Sequence, residues 1–298
     1  MPGLIERPSF GEAIALDPYW ADGLVGAWFM NEGRYSPIVY DASGNGNDGV
    51  LTGMDPATDW GLGEDGWALK FGGQGSGEYV DCGSHESLDI TEELTIALFS
   101  NPSSNDLFMV ARANGSAYQY GLYNDYQQLS LYYGANHNTG TTTGINTDGA
   151  WHLYAVTVDA SAVTFWRDDY FEAKAPISLV SQAGAPFQIG ARDGAFEYGA
   201  DIGDLYVWSR ALSATEIRTL HETRGNCLLA RPDYGWLYGA QVPGFQELAG
   251  ALSGDGDLAG VMLVDKALAG ELSANGDLAG SMLVDKVLAG VLCRSTFR

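Results

Sequence analysis

The stretch YDASGNGNDGVL, residues 40–51, gathers Asp41, Ser43, Asn45, Asn47 and Asp48 with three glycines between two apolar runs. Oxygens at this density suit a cation site, a catalytic loop, or a tight turn whose side chains bond their own backbone. Glycines permit positive φ, and Ser and Asn at these spacings close local turns, so a structural turn explains the composition without any ligand. A second concentration, SAYQYGLYNDYQQLSLYYG, brings tyrosines together. Tyrosines on an exposed sheet face stack on sugar rings while their hydroxyls bond sugar oxygens. Strand alternation sends part of the set into the core, and the rest could equally form a protein interface. Tyr118, Tyr120, Tyr123, Tyr126 and Tyr132 are therefore candidates for glycan or interface contact.

The elements that must position these residues are short strands. Residues 24–222 alternate apolar runs with Gly, Asn, Asp and Ser clusters, the pattern of a sandwich or jelly roll. In WHLYAVTVDASAVTFWRDDYFEA, His152, Tyr154, Val156 and Val158 share one strand face, and Trp151, Leu153, Ala155 and Thr157 the other. DASA makes the turn, and Val163 to Arg167 returns as the second strand of a hairpin. One short helix closes the set, with Ser213 as N-cap and Glu216 completing a capping box.

Composition narrows the partners. The 298 residues carry 38 acidic and 15 basic side chains, a formal charge of -23, which repels a phosphate backbone and argues against nucleic acid. No apolar run approaches the roughly 20 residues that span a bilayer. Cys82, Cys227 and Cys293 have neither metal nor redox spacing, so reduced thiols are expected. The opening MPGLIERPSFGEAIALDPYW has no basic segment leading into an apolar one, so synthesis in a cytoplasm without the usual export signal is expected. Asn114-Gly115-Ser116 matches a glycosylation acceptor only by chance on that view.

Six ordered motifs, GLVGAWFMNEG, DASGNGNDGVL, ALKFGGQGSGEYVDCGSHESLDITEELTIALF, DGAWHLYAVTVDASAVTFWRDDYFEA, FQIGARDG and IGDLYVWSRALSATEIRTL, together resemble the laminin-G-like, pentraxin-like branch of the concanavalin A-like lectin/glucanase superfamily. The resemblance implies two antiparallel sheets packed as an all-β jelly roll over residues 24–225. It also implies a possible Ca²⁺ site, because Asp41 and Asp204 stand where relatives place metal-binding aspartates, with Asn45 and Asn47 as further oxygen donors. Glucanases of the superfamily carry Glu-x-Asp-x-Glu, setting acid and nucleophile on one strand face. Glu86, Asp89 and Glu92, at spacing three and three, would scatter over both faces, so no catalytic residues and no enzyme activity are expected. His152 is expected to pack in the sheet and not to act as a base.

The last third changes character. After residues 226–247, taken as a linker, the chain repeats LAGALSGDGD, LAGVMLVDKA, LAGELSANGD, LAGSMLVDKV, with Leu248, Leu258, Leu268, Leu278 and Leu288 opening the units and a stronger period of twenty overlaid. Alternating apolar positions and DGD or NGD turns suit strands. A helix from Leu258 to Ala274 is the alternative, although one Gly per ten residues weakens it and the period matches no heptad or eleven-residue repeat. Such units bury too little alone, so 248–298 is expected to oligomerise the chain as a homotrimer.

A lectin-like sandwich, an oligomerising tail and no export signal point to a virion surface protein. It would be a bacteriophage capsid decoration, spike or tail-fibre component, with residues 1–23 as an arm and other virion proteins as partners. The alternative is a carbohydrate-binding lectin or adhesin recognising cell-surface glycans, with Ca²⁺ as its one cofactor. A glycoside hydrolase is the remote third.

Overall fold

The computed structural model describes residues 18–64, 66–102, 107–145 and 147–223, with the dipeptides 263–264 and 283–284. The chain divides into two compact units, Met1–Ala240 and Gln241–Arg298. In the first, the strands are β1 (Leu24–Trp28), β2 (Ile38–Val39), β3 (Gly49–Thr52), β4 (Trp60–Leu62), β5 (Trp67–Lys70), β6 (Tyr79–Asp81), β7 (Leu94–Asn101) and β8 (Phe108–Asn114). They continue with β9 (Ala117–Asp125), β10 (Gln128–Gly134), β11 (Asn136–Gly144), β12 (His152–Val158), β13 (Val163–Arg167), β14 (Tyr170–Lys174), β15 (Phe187–Ile189) and β16 (Asp201–Trp208). Helices α1 (Pro18–Ala21) and α2 (Ala214–Thr223) flank them.

The first sheet runs β14-β13-β12-β7-β16-β5-β4, with β1 also on β16, and the second runs β11-β10-β9-β8-β15-β6-β3-β2. Their ladders are antiparallel, so the all-β sandwich is the expected architecture. Between the sheets lies one apolar core, in which Trp28 of β1 stacks on Phe187 of β15 at 5.3 Å, joining the two layers. The hairpin follows its alternation: Tyr154, Val156 and Val158 face this core, while Leu153 and Ala155 face outward. Asp159 caps the DASA turn by accepting from the Ser161 and Ala162 N–H groups at 2.6 and 2.9 Å.

Those outward residues are nevertheless buried. Ile217 and Leu220 of α2, with Trp20 of α1, cover the outer face of the first sheet over Ala97, Tyr206 and Trp208. Burial on both faces keeps β7 and β16 buried along nearly their whole length, with Thr95, Ser100 and Asp204 as buried polar residues. Trp208 donates its indole N–H to the Trp20 carbonyl at 2.9 Å, so the end of the segment read as an arm packs on the sandwich.

The capping box forms as the sequence suggests: the Ser213 N–H donates to Glu216 Oε2 at 2.7 Å, and the Glu216 N–H donates to Ser213 Oγ at 3.3 Å. In the second unit, β17 (Leu263–Val264) and β18 (Leu283–Val284) pair in parallel, Leu263 opposite Leu283. Leu248, Leu258, Leu268, Leu278 and Leu288, like Cys227 and Cys293, lie outside the described residues. Cys82 is a free, buried thiol, as expected.

Ser213→Ala removes one capping acceptor and is expected to lower unfolding stability by about 1 kcal/mol. Urea denaturation measures it, and an unchanged midpoint would mean that the apolar face alone holds α2.

Candidate functional site

The residues of the 40–51 loop close on themselves. Asp41 Oδ1 accepts from the N–H groups of Ala27 and Ser43, each at 2.9 Å. Its Oδ2 accepts from Ser43 Oγ at 2.8 Å and the Asn47 N–H at 3.0 Å. Two donors on each oxygen use the carboxylate's in-plane lone pairs. Asn45 and Asn47 turn their NH₂ groups to the Val25 carbonyl at 3.2 and 2.7 Å. Trp28 donates its indole N–H to the Asn47 carbonyl at 2.9 Å, which ties the loop to the core. Asp204 is buried on β16 and accepts from Tyr206 Oη at 2.9 Å. Asp41, Asn45, Asn47 and Asp204 thus do not present a shared set of free oxygens, and the residues present do not fit the calcium reading. No metal-binding group of three or more His, Cys, Asp or Glu side chains occurs among the described residues. The loop is a turn that fastens β1.

Removing this carboxylate orphans three N–H groups. Asp41→Ala is expected to cost on the order of 2–4 kcal/mol, read by denaturant unfolding, with the wild-type melting midpoint insensitive to chelator and to added Ca²⁺. A midpoint that rises with Ca²⁺ would restore the metal.

One acid beside the loop has no sequence signal. Glu32 accepts from the Tyr40 N–H at 2.8 Å through Oε1, while its buried Oε2 has no partner. Burial pushes its carboxyl up to about 7, partly offset by the Tyr40 N–H, with the charges of Asp48 and Asp204 adding to the rise. An unfolded glutamate titrates near about 4.3, so between these values only the folded state holds the proton, and stability falls as pH rises through that window. Glu32→Gln is expected to raise the melting midpoint more at about pH 8 than at about pH 5. Equal shifts at both would refute the raised pKa.

Glu86 opens a one-turn 3₁₀ helix, Asp89 follows its end and accepts from Ser181 Oγ at 2.7 Å, and Glu92 is exposed on the next loop. The three lie on no common strand face. His152 lies in the sheet, on β12 opposite Ser100, and its ring is held between carboxylates. Its Nδ1 meets Asp168 Oδ2 at 2.7 Å and its Nε2 meets Asp148 Oδ1 at 3.1 Å. His221 of α2 shares Asp168 at 3.3 Å, so this pair links the β13–β14 turn to the helix.

The tyrosines divide in a way that simple alternation misses. Tyr118 and Tyr120 are two apart on β9 and should share a face, yet Arg112 pairs with Tyr120 and the next residue, Ala113, with Tyr118. Gln119 is therefore the extra residue of a β-bulge. Its side chain accepts from Arg112 Nε at 2.9 Å and donates to the Ile90 carbonyl at 2.8 Å, both buried. Tyr120 lies in the core with its hydroxyl donating to the Leu88 carbonyl at 2.8 Å, and burial raises that hydroxyl's pKa. It is not a surface contact residue, contrary to the expectation. Tyr126 sits at the β9–β10 hairpin tip, 84% exposed and apart from the others.

The bulge turns Tyr118 to the outer face of the second sheet. There it stacks on Phe108 at 5.5 Å, with Tyr123 4.6 Å and Tyr132 5.3 Å from the same ring. A Cβ on Gly121 would approach Phe108 Cε1 to 3.0 Å, so the glycine makes the seat for this ring. Exposed His137 stacks on Tyr132 at 5.0 Å. From the β15–β16 loop come Arg192, 4.1 Å over the ring of Phe196, and Phe196 itself, 41% exposed at φ 57°. Nothing in the sequence singles out Phe108, Phe196, Arg192 or His137, which only strand register brings to the tyrosines.

Register extends this surface. Val50, Asp81, Gln188, Ala111, Gly121, Tyr132 and His137 stand opposite one another in a single row across seven strands. At about 4.8 Å per strand the row is about 29 Å long. An open depression lined by Asp48, Val50, Thr52, Asp81 and His85 lies at one end, and the aromatic cluster at the other. In the middle of the row Ala111 and Gln188 are buried, and Gly121 lies under the Phe108 ring.

Residues 74–218 match the family model described as the concanavalin A-like lectin/glucanases superfamily. Over this span the sandwich is similar to a laminin-G-like domain of that superfamily. The chain is similar to domain 4 of AbnA, a GH43 extracellular arabinanase from Geobacillus stearothermophilus solved with arabinotriose. The identity is 17% and the TM-score 0.53, with 66% of this chain and 98% of that one covered. It is also similar to the binding domain of Paraclostridial Mosquitocidal Protein 1, at 13% identity and TM-score 0.52, over 68% of this chain and 53% of that one. A structure of botulinum neurotoxin type C, whose cell entry depends on two ganglioside molecules, matches at 11% identity and TM-score 0.53, over 69% of this chain and 52% of that one. The chain thus spans about half the length of each toxin structure, and these likenesses concern the fold. A comparison with curated proteins finds no match.

Proposed function

We propose that the protein is a non-enzymatic carbohydrate-binding protein whose sandwich takes an extended glycan along the outer face of its second sheet. The observation that carries this reading is the aromatic cluster of Tyr118, Tyr123, Tyr132, His137 and Phe196 gathered at one end of that face. The first sheet buries its outer face under α2 and α1, whereas on the second sheet Tyr123 and Tyr132 are half-buried and His137 and Phe196 exposed. Ring faces stack on the apolar faces of sugars, and tyrosine hydroxyls and Asp81 are of the polar types that bond sugar hydroxyls. The arabinanase domain solved with arabinotriose supports a sugar-directed role for this fold. Catalysis has less support, since Glu86, Asp89 and Glu92 form no facing carboxylate pair.

A glycan array probed with the full chain tests this. Binding is expected to a defined set of glycans, and Tyr132→Ala is expected to weaken the strongest by about tenfold, as for loss of one central aromatic contact. An array without binding would overturn the reading, as would a Tyr132→Ala protein that binds undiminished.

The repeats favour a second reading, in which the same domain is displayed on a bacteriophage virion surface as a decoration, spike or tail-fibre component. Its support is the parallel β17–β18 pair, one twenty-residue period apart, which fits stacked repeat units. Such stacks gain stability by association, and a homotrimer anchored to other virion proteins would present several sandwiches, making weak glycan contacts multivalent. Light scattering on the full chain is expected to give a trimer's mass, and a monomer would remove this reading.

A further inference from the structure

Arg192 is the one cation in the aromatic cluster, and its surroundings are unusual for a chain of net charge -23. Its guanidinium lies 4.1 Å from the ring centre of Phe196, 5.3 Å from that of Tyr118 and 5.7 Å from that of Phe108. Nη1 donates to Tyr118 Oη. That is its only side-chain hydrogen bond among the described residues, and no carboxylate there pairs with it. Its neighbour Asp193 forms no ion pair with it, and Glu197 turns away to accept from the Gly75 N–H at 3.1 Å. The Nε–H is buried and has no acceptor. An arginine presents five donors in a planar fork, and among the described residues one of them, on Nη1, is taken up by a side chain.

The loop that holds this arginine is built for presentation. Arg192 and Ala195 exchange both backbone hydrogen bonds at 2.9 Å, closing a tight turn. Asp193 and Phe196 both take positive φ, 53° and 57°, a costly conformation for side chains with a Cβ. Gln188 Oε1 fastens the turn by accepting from the Gly194 N–H at 3.0 Å. A half-exposed phenylalanine in a strained backbone over an unpaired guanidinium is an arrangement that core packing does not call for.

We infer that Arg192 selects carboxylate-bearing sugars: the glycan taken by the aromatic face carries a uronic or sialic acid whose carboxylate accepts from the guanidinium while the flanking rings stack on the sugar. This rests on the carbohydrate-binding reading and adds the ligand's chemical class. Planar carboxylate matches the planar fork, and the apolar rings exclude water, which strengthens the charge-assisted bond. The chain's negative charge repels anionic polymers in general, so selectivity depends on this single local cation.

The test uses the full chain against a panel of uronate- and sialate-containing oligosaccharides, each matched with its carboxyl-reduced neutral counterpart and with sulfated oligosaccharides, by isothermal titration. Binding to at least one carboxylate-bearing probe is expected to exceed its neutral match by tenfold or more. Arg192→Lys keeps the charge but loses the fork. It is expected to erase that preference, so that each acidic probe and its neutral match bind the variant equally. Tyr132→Ala is expected to weaken both members of a pair. Equal affinity for acidic and neutral members, with both still lost in Tyr132→Ala, overturns the acid preference and leaves the carbohydrate reading standing. Absence of binding to every probe overturns both. Preference for sulfated over carboxylate probes, or an acid preference that survives Arg192→Lys, also overturns the inference.

Discussion

A strand offers each side chain one of two faces, and in a two-layer sandwich one of those faces is dry on both sheets. Everything on the outer surface of the second sheet is what that alternation, counted residue by residue, leaves over. The bulge at Gln119 is where the count changes. Arg112 and Ala113 together oppose three residues of β9, so Tyr120 stays in the core while Tyr118 emerges on the other side. Buried Gln119 stabilises the irregularity by bonding Arg112 and the Ile90 carbonyl at once. Without it Tyr118 would not reach Phe108 or Arg192, and the aromatic face would lose its centre.

The two sheets divide their labour through what covers them. α2 and Trp20 shield the first sheet, and its central strands are apolar on both sides in consequence. Among the described residues no helix covers the aromatic end of the second sheet, where His137 and Phe196 stand exposed. Between the layers, Trp28 connects both arrangements, stacking on Phe187 of the second sheet while its indole N–H holds the Asn47 carbonyl of the first loop. The Asp41 turn is thus a piece of core architecture. Its oxygens, which in isolation look ready for a cation, are spent on four local donors.

Electrostatics runs against the obvious reading of composition. The chain is strongly acidic, yet Glu32, an acid with a strongly raised pKa, is inconspicuous in the sequence and owes its shift to burial, with Asp48 and Asp204 adding to it. The cation of greatest interest, Arg192, is noticeable only because neither Asp193 nor Glu197 pairs with it, Glu197 accepting instead from the Gly75 N–H. Net charge describes what the protein repels at a distance, and the pairing of individual groups decides what it can hold.

The local features follow from residue types and spacing alone. The Tyr154–Val158 alternation, the DASA turn, the Ser213–Glu216 capping box and the all-β pattern rest on interactions within a few residues, where side-chain type and spacing suffice. The order of motifs along the chain was enough to suggest the sandwich family. Only the tertiary structure decided which tyrosines face outward, that His152 sits between carboxylates, and that Asp81, Gln188, Ala111, Gly121 and Tyr132 form one row. Those facts depend on register between strands distant in sequence, and one extra residue in a strand inverts every assignment beyond it.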